Sequence, residues 1–105
     1  MKRILATLLL LTLAAPAWGQ DIDKGLQAYE RGDYATAVRE WRPLAEKGNA
    51  IAQSKLGFMY AFGEGVTQDD AAAVGWWLKA AEQGDAKAQS NLGNQYSRGE
   101  GVPQD

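Results

Sequence analysis

The chain has 105 residues, with 11 basic and 13 acidic side chains, a formal charge of −2, and neither cysteine nor histidine. It therefore has no thiolate nucleophile, disulfide, imidazole base or zinc site of the usual ligand types, which excludes most hydrolase and metalloenzyme chemistries. The near-balanced charge gives no basic field for nucleic acid or an anionic membrane, and the length is that of about one small domain.

The first segment reads as a secretory signal: Lys2 and Arg3, an apolar run over residues 4–15, then Pro16, Ala17, Trp18 and Gly19. Small side chains at Ala17 and Gly19 place the expected cut between Gly19 and Gln20, although Ala15 and Ala17 would permit one two residues earlier. The uncharged, mainly apolar run is 12 residues, short of the roughly 20 that span a bilayer, so cleavage is expected rather than a retained anchor. With no cysteine to accept a lipid, the mature chain is expected to be free in the periplasm or secreted, with no stable membrane insertion. It would carry 86 residues and a charge of −4.

An internal repeat dominates the remainder. Residues 49–69 and 85–105, 36 apart, are identical at 13 of 21 positions, and residues 34–48 match 70–84 at 7 of 15. On the order of one or two matches would arise by chance over the longer stretch, so the repeat is real. Its apolar residues step by three and four, which predicts helices and gives no sign of strands. From residue 34 a helix is expected up to Lys47, with Pro43 kinking it or ending it early. In the next helix Ala52, Leu56, Met59 and Tyr60 share an apolar stripe, and Gly57 at its edge lets a neighbour approach closely. In the following one the stripe is Ala73, Trp76, Trp77, Ala80 and Ala81.

Punctuation supports this reading. Gly48 and Gly84 stand where a left-handed C-terminal residue belongs, and each is followed by a good N-cap, Asn49 or Asp85. The longer connections, residues 63–69 and 99–105, open on a helix-ending glycine and close on an aspartate able to cap the next helix. In the first unit this connection shrinks to Gly32 and Asp33, which gives an offset of 31 for the first helix.

The patterns A-x-A-Q-x-x-L-G-x-x-Y-x-x-G-x-G-V-x-Q-D and A-V-x-W-W-x-K-A-A-E-Q-G resemble the Sel-1-like repeat of the tetratricopeptide-repeat superfamily. The likeness is close over residues 49–105 and looser over 21–48, where G-L-Q-A-Y-E-R-G-D-Y-A-T-A looks like a plain tetratricopeptide unit. It implies an all-α, right-handed α/α solenoid of about two and a half helix-turn-helix units, approximately 21–48, 49–84 and a truncated 85–105. It also implies an adaptor for protein partners rather than a catalyst. Some cysteine-rich secreted relatives of this family are linked to penicillin binding or hydrolysis. This chain has no cysteine, and none of its serines opens an S-x-x-K motif. Because each repeat buries its apolar face against neighbours and about three units are usually needed, the array is expected to be marginal by itself or part of a longer one.

Several residue groups admit a chemical reading beside a structural one. G-E-G-V-T-Q-D has the glycines of a phosphate cradle but not the G-K-[ST] ending, and its recurrence as G-E-G-V-P-Q-D argues for a turn. Glu64, Asp69 and Asp70 would suit a calcium ion or an acid and base pair, yet helix capping accounts for them more simply. Trp41, Trp76 and Trp77 would suit an aromatic cage, yet their helical spacing beside alanines is that of a packed core. No catalytic residue, cofactor or metal is therefore expected. Ile51, Phe58 and Phe62, spaced i, i+7 and i+11, form a second apolar stripe on the helix face opposite Leu56 and Tyr60. At the offsets above their equivalents are polar: Lys87, Asn94 and Arg98 on one side, Gln20, Gln27 and Arg31 on the other. Either this face packs against neighbouring units, or it docks a partner. By the family resemblance the first helix of each unit lines a concave surface. The docking reading makes Phe58 and Phe62 apolar anchors beside Ile51, with Lys55, Arg31, Asn94, Gln95 and Arg98 as polar contacts. The expected function is an exported, non-catalytic scaffold for a protein partner. The rivals are a cell-wall-acting protein, penicillin-binding or hydrolase-like, and a non-functional fragment of a longer array.

Overall fold

The computed structural model describes residues 17–99. Among them are five α-helices and no strand: α1 Ala17–Glu30, α2 Tyr34–Glu46, α3 Ala50–Phe62, α4 Asp70–Glu82 and α5 Ala86–Arg98. Each helix packs against the next in the chain, and α3 also reaches α5. This is the helix-on-helix solenoid expected from the repeat. Residues 1–16 of the expected signal, and residues 100–105 of the third unit's glycine-rich turn, lie outside the described residues. Helix α1 begins at Ala17, so the expected Gly19/Gln20 junction falls in its first turn. Its packing residues Ile22, Leu26, Ala28 and Tyr29 all follow that junction.

The caps form as the sequence implies. Side-chain oxygens of Asp33, Asn49, Asp69 and Asp85 accept from the backbone N–H three residues on, at 3.3, 2.9, 3.0 and 2.9 Å. Each satisfies a donor that the first helical turn leaves without a partner. The tight turns at Gly48 and Gly84 have φ of 103° and 92°. There the N–H of Asn49 donates to the Leu44 carbonyl and that of Asp85 to the Ala80 carbonyl, at 3.0 and 3.1 Å. This 6→1 closure requires the left-handed residue that glycine supplies at least cost.

Pro43 neither ends α2 early nor separates it from its last turn. The helix continues to Glu46, and the Pro43 carbonyl accepts from Lys47 N–H at 3.1 Å. The ring faces solvent, while Leu44 and Ala45 beside it are buried and hold the turn in place. The proline thus forfeits the bond to the Arg39 carbonyl without displacing the helix end.

Two apolar clusters form the core. The first joins Ala28 of α1, Ala37, Val38, Trp41, Leu44 and Ala45 of α2, and Ala52, Leu56 and Met59 of α3. The second joins Ala73, Val74, Trp77 and Ala80 of α4 to Ala88 and Leu92 of α5. The adjacent tryptophans of α4 part company: Trp77 is central to the second cluster, whereas Trp76 packs at the edge of the first. Val74 is buried as well, which makes the buried face of α4 wider than the single stripe expected, because α4 has helices on both sides.

One contact recurs and fixes the register. The Trp41 indole Nε1–H donates to the Ile22 carbonyl at 3.1 Å, and the Trp77 indole Nε1–H to the Ser54 carbonyl at 3.0 Å. Each accepting carbonyl lies three residues before a glycine, Gly25 or Gly57, and a methyl group on either glycine would overlap the indole. Gly25 and Gly57 are 32 residues apart, so the first helix aligns at 32 and not 31. Leu26 then corresponds to Phe58, Glu30 to Phe62 and Gly19 to Ile51. The sequence spacing misplaced this helix because the shortened turn and the glycine signal differ by one residue.

Gly57→Ala is expected to destabilise by about 1–3 kcal/mol, since the added methyl must displace a packed indole. Gly75→Ala, at an exposed helical site with open space around it, is expected to stabilise by about 0.5–1 kcal/mol. Urea denaturation followed by circular dichroism checks the pair. Shifts of the same sign in both variants would refute the indole-over-glycine account.

Candidate functional site

The stripe on α3 is open to solvent. Ile51, Phe58 and Phe62 are 51, 37 and 61% exposed, so neighbouring units do not absorb them. The Phe58 and Phe62 rings lie 4.6 Å apart between centroids. Leu26, at the position of Phe58 one unit earlier, lines a hollow together with it. The apolar face therefore extends from α3 onto α1 rather than being confined to the middle unit.

That hollow has a volume of about 200 Å³ and is bounded by α1, α3 and α5, with Trp41 of α2 beneath. Its deepest side chains, Trp41 and Met59, are 2 and 0% exposed. Leu26, Tyr29 and Phe58 line it higher up, and Ser54, Lys55, Lys87 and Asn91 supply its other polar groups. Tyr29 is held by its hydroxyl, which donates to Glu64 Oε1 at 3.0 Å. Burial, with the Glu64 hydrogen bond and charge behind it, raises the Tyr29 pKa. Lys55 Nζ stands 5.3 Å from the centre of the Trp41 ring. Burial, and then the charge of Lys87, lower the Lys55 pKa, and Asp85 offsets this only in part. Asp85 is itself the α5 cap.

The predicted contacts divide between two places. Lys55 and Phe58 line this hollow, whereas Phe62, Asn94, Gln95 and Arg98 surround a second, more polar one of about 250 Å³ between α3, α4 and α5. Asn91 borders both, and Ile51 and Arg31 border neither. Gln95 borders that second hollow from a buried position. It is 3% exposed, because it continues the buried row Ala88, Leu92 along α5, and its Oε1 has no hydrogen-bond partner among the described residues. Leu26, Tyr29, Met59, Lys87 and Asn91 were missed as site residues. Leu26 would have followed from the correct register of α1, but the others meet only through helix packing.

The acidic residues weighed for a metal each have another task. Glu64 accepts from Tyr29, Asp69 caps α4, and Asp70 Oδ1 accepts from Gln68 Nε2 at 3.1 Å. The turn carrying them folds back on the first unit, where Val66 packs against the first cluster and a side chain on Gly65 would strike the Tyr34 carbonyl. No group of three or more metal-capable side chains occurs among the described residues, nor is any helix there long and apolar enough to cross a membrane.

The sequence matches the Sel1 repeat family over residues 50–85 and 86–105. It is similar to an exopolysaccharide production negative regulator of Rhizobium leguminosarum bv. viciae, 48% identical over 46 residues, which is 44% of this chain and 17% of that protein. Among solved structures it is similar to c5321, a protective antigen present in uropathogenic Escherichia coli strains that displays an SLR fold. The TM-score is 0.74 at 40% identity, over 81% of this chain and 19% of that one. A Sel1 repeat protein from Oxalobacter formigenes gives a TM-score of 0.74 at 36% identity, over 81% of this chain and 34% of that one. The chain thus spans a minor part of each of these relatives.

Lys55 is expected to titrate below the 10.5 of an unperturbed lysine. Its charged form is the less favoured one in the fold, so the unfolded chain holds the proton to higher pH. Stability should therefore rise with pH between the folded value and 10.5. Lys55→Met should remove that slope. NMR titration of the lysine side chain, with denaturation at matched pH, checks this; an unshifted Lys55 would contradict its burial.

Proposed function

The chain belongs to the Sel1 repeat family, and on that premise we propose that it is an exported, non-catalytic scaffold that holds a protein partner on the concave face formed by α1, α3 and α5. The observation that carries this reading is the exposed apolar row of α3, continued by Leu26 over a hollow with a buried aromatic floor. An exposed apolar surface rimmed by polar groups costs solubility and marks contact sites. Scaffolding also suits a chain without cysteine or histidine, whose clustered carboxylates are engaged in caps and turns. A relative that negatively regulates exopolysaccharide production is in keeping with a role exercised by holding another protein.

Export rests on the charged start, apolar run and small-residue end of residues 1–19. Cleavage after Gly19 would leave the packing residues of α1 in place. Cell fractionation with N-terminal sequencing should find a periplasmic or secreted chain beginning at Gln20. A cytoplasmic chain retaining residues 1–19 would refute export.

A photo-crosslinking residue placed at Phe58 in the full chain, expressed in its native envelope, tests the docking face. Leu78 is the control, since it is also exposed, at 41%, but lies on α4. Discrete protein adducts are expected from position 58 and not from 78. Equal labelling from both positions, or none from 58 in a folded protein, would overturn the reading.

A further inference from the structure

The hollow between α1, α3 and α5 has a charge out of keeping with the chain. The whole sequence carries −2, yet the residues lining this hollow include two lysines, Lys55 and Lys87, and no carboxylate. Among the described residues neither lysine lies within salt-bridge distance of a carboxylate. Lys55 is half-buried against Trp41 and feels the charge of Lys87. The nearby acid, Asp85, has one oxygen committed to the Ala88 N–H. Two cations held near each other over apolar side chains leave an unmet demand for negative charge. A low-dielectric floor strengthens any ion pair formed there.

The dimensions restrict what can fill the space. About 200 Å³ is less than the roughly 300–1,000 Å³ of a typical small-molecule pocket, and suits a single large side chain. Leu26, Trp41, Phe58 and Met59 make the interior apolar, and Ser54 and Asn91 are its only uncharged polar side chains apart from the engaged Tyr29. A sugar ring would leave most of its hydroxyls without partners in such a lining. An aliphatic or aromatic side chain would not.

We propose that the hollow binds an acidic segment of a partner protein, seating one large apolar side chain over Trp41 and Met59 while flanking carboxylates pair with Lys55 and Lys87. This rests on the docking face proposed above and adds the chemistry of the partner. Phe58 and Leu26 grip the apolar side chain from α3 and α1. Lys55 takes the deeper carboxylate and Lys87, exposed on α5, the outer one.

The probe is an acetylated and amidated peptide in which one phenylalanine is flanked by aspartates, titrated into the full chain and followed by NMR. Saturable binding is expected, with shifts confined to the Trp41 indole N–H, Phe58, Lys55 and Lys87. Replacing the aspartates by asparagine, or the phenylalanine by alanine, should weaken binding about tenfold each, as should Lys87→Glu or Lys55→Gln. Raised salt should weaken the acidic peptide and leave the asparagine peptide little changed. Should Lys55→Gln fail to fold, Lys87→Glu at its exposed position carries the charge test. Equal binding of the asparagine peptide would overturn the carboxylate assignment while leaving a docking face marked by crosslinks at position 58. Shifts mapping elsewhere, no binding by the acidic peptide, or tighter binding of an acidic oligosaccharide such as oligogalacturonate would overturn the proposal outright. Absence of crosslinks at Phe58 would instead remove the docking face itself.

Discussion

An indole lying over a glycine, with its N–H given to a helical carbonyl three residues earlier, is the contact that sets the spacing of the helices. Trp41 makes it with Gly25 and Ile22, and Trp77 makes it with Gly57 and Ser54. A buried indole must find an acceptor, and a helical carbonyl has a second lone pair to offer only if a neighbouring helix can approach it. The missing Cβ permits that approach. A glycine in a helix interior costs about 1 kcal/mol relative to alanine, and here it is offset by a packed and hydrogen-bonded ring.

The candidate site follows from the same contact. Once Trp41 is anchored to α1 through Ile22, its ring becomes the floor of the space between α1, α3 and α5, and Lys55 stands over it. Met59 fills the base, and Phe58 one residue earlier turns outward. One side chain thus serves both the fold and the hollow. Substituting Trp41 would remove packing and surface together, whereas Phe58 and Lys87 lie at the margin of the fold, where exposure lets their roles be separated.

The turns make the two kinds of connection distinct. The short Gly48–Asn49 and Gly84–Asp85 steps close on a backbone bond and an N-cap each. The longer turn after α3 returns to the first unit, where Glu64 takes the Tyr29 hydroxyl. That bond ties a residue of the hollow to the turn, so a segment that reads as a phosphate cradle in isolation acts as a brace for an aromatic wall. Gln83 adds a further strap, donating to the Gly48 carbonyl at 2.9 Å and to Gln53 Oε1 at 3.0 Å across neighbouring units.

The helices, their caps and the repeat were legible in the sequence because they depend on local spacing: apolar residues three and four apart, an Asp or Asn before each helix from α2 onward, and a glycine after most. The Gly57 notch was legible too, since a glycine inside an apolar stripe implies close approach. The register of α1 was not, because two local signals disagreed by one residue and only the placement of Trp41 on Gly25 decided between them. Nor was the division of Trp76 from Trp77, which depends on what packs on each side of α4. The exposure of Ile51, Phe58 and Phe62 and the burial of Gln95 were likewise settled by neighbours, as a helical stripe states which residues share a face but not what covers it. Sequence by itself determined the all-α repeat, through periodicity and capping that act within a few residues. Tertiary structure alone decided that Leu26, Lys55, Phe58 and Lys87, 61 positions apart from first to last, share one hollow, because their meeting depends on how α1, α3 and α5 pack across units.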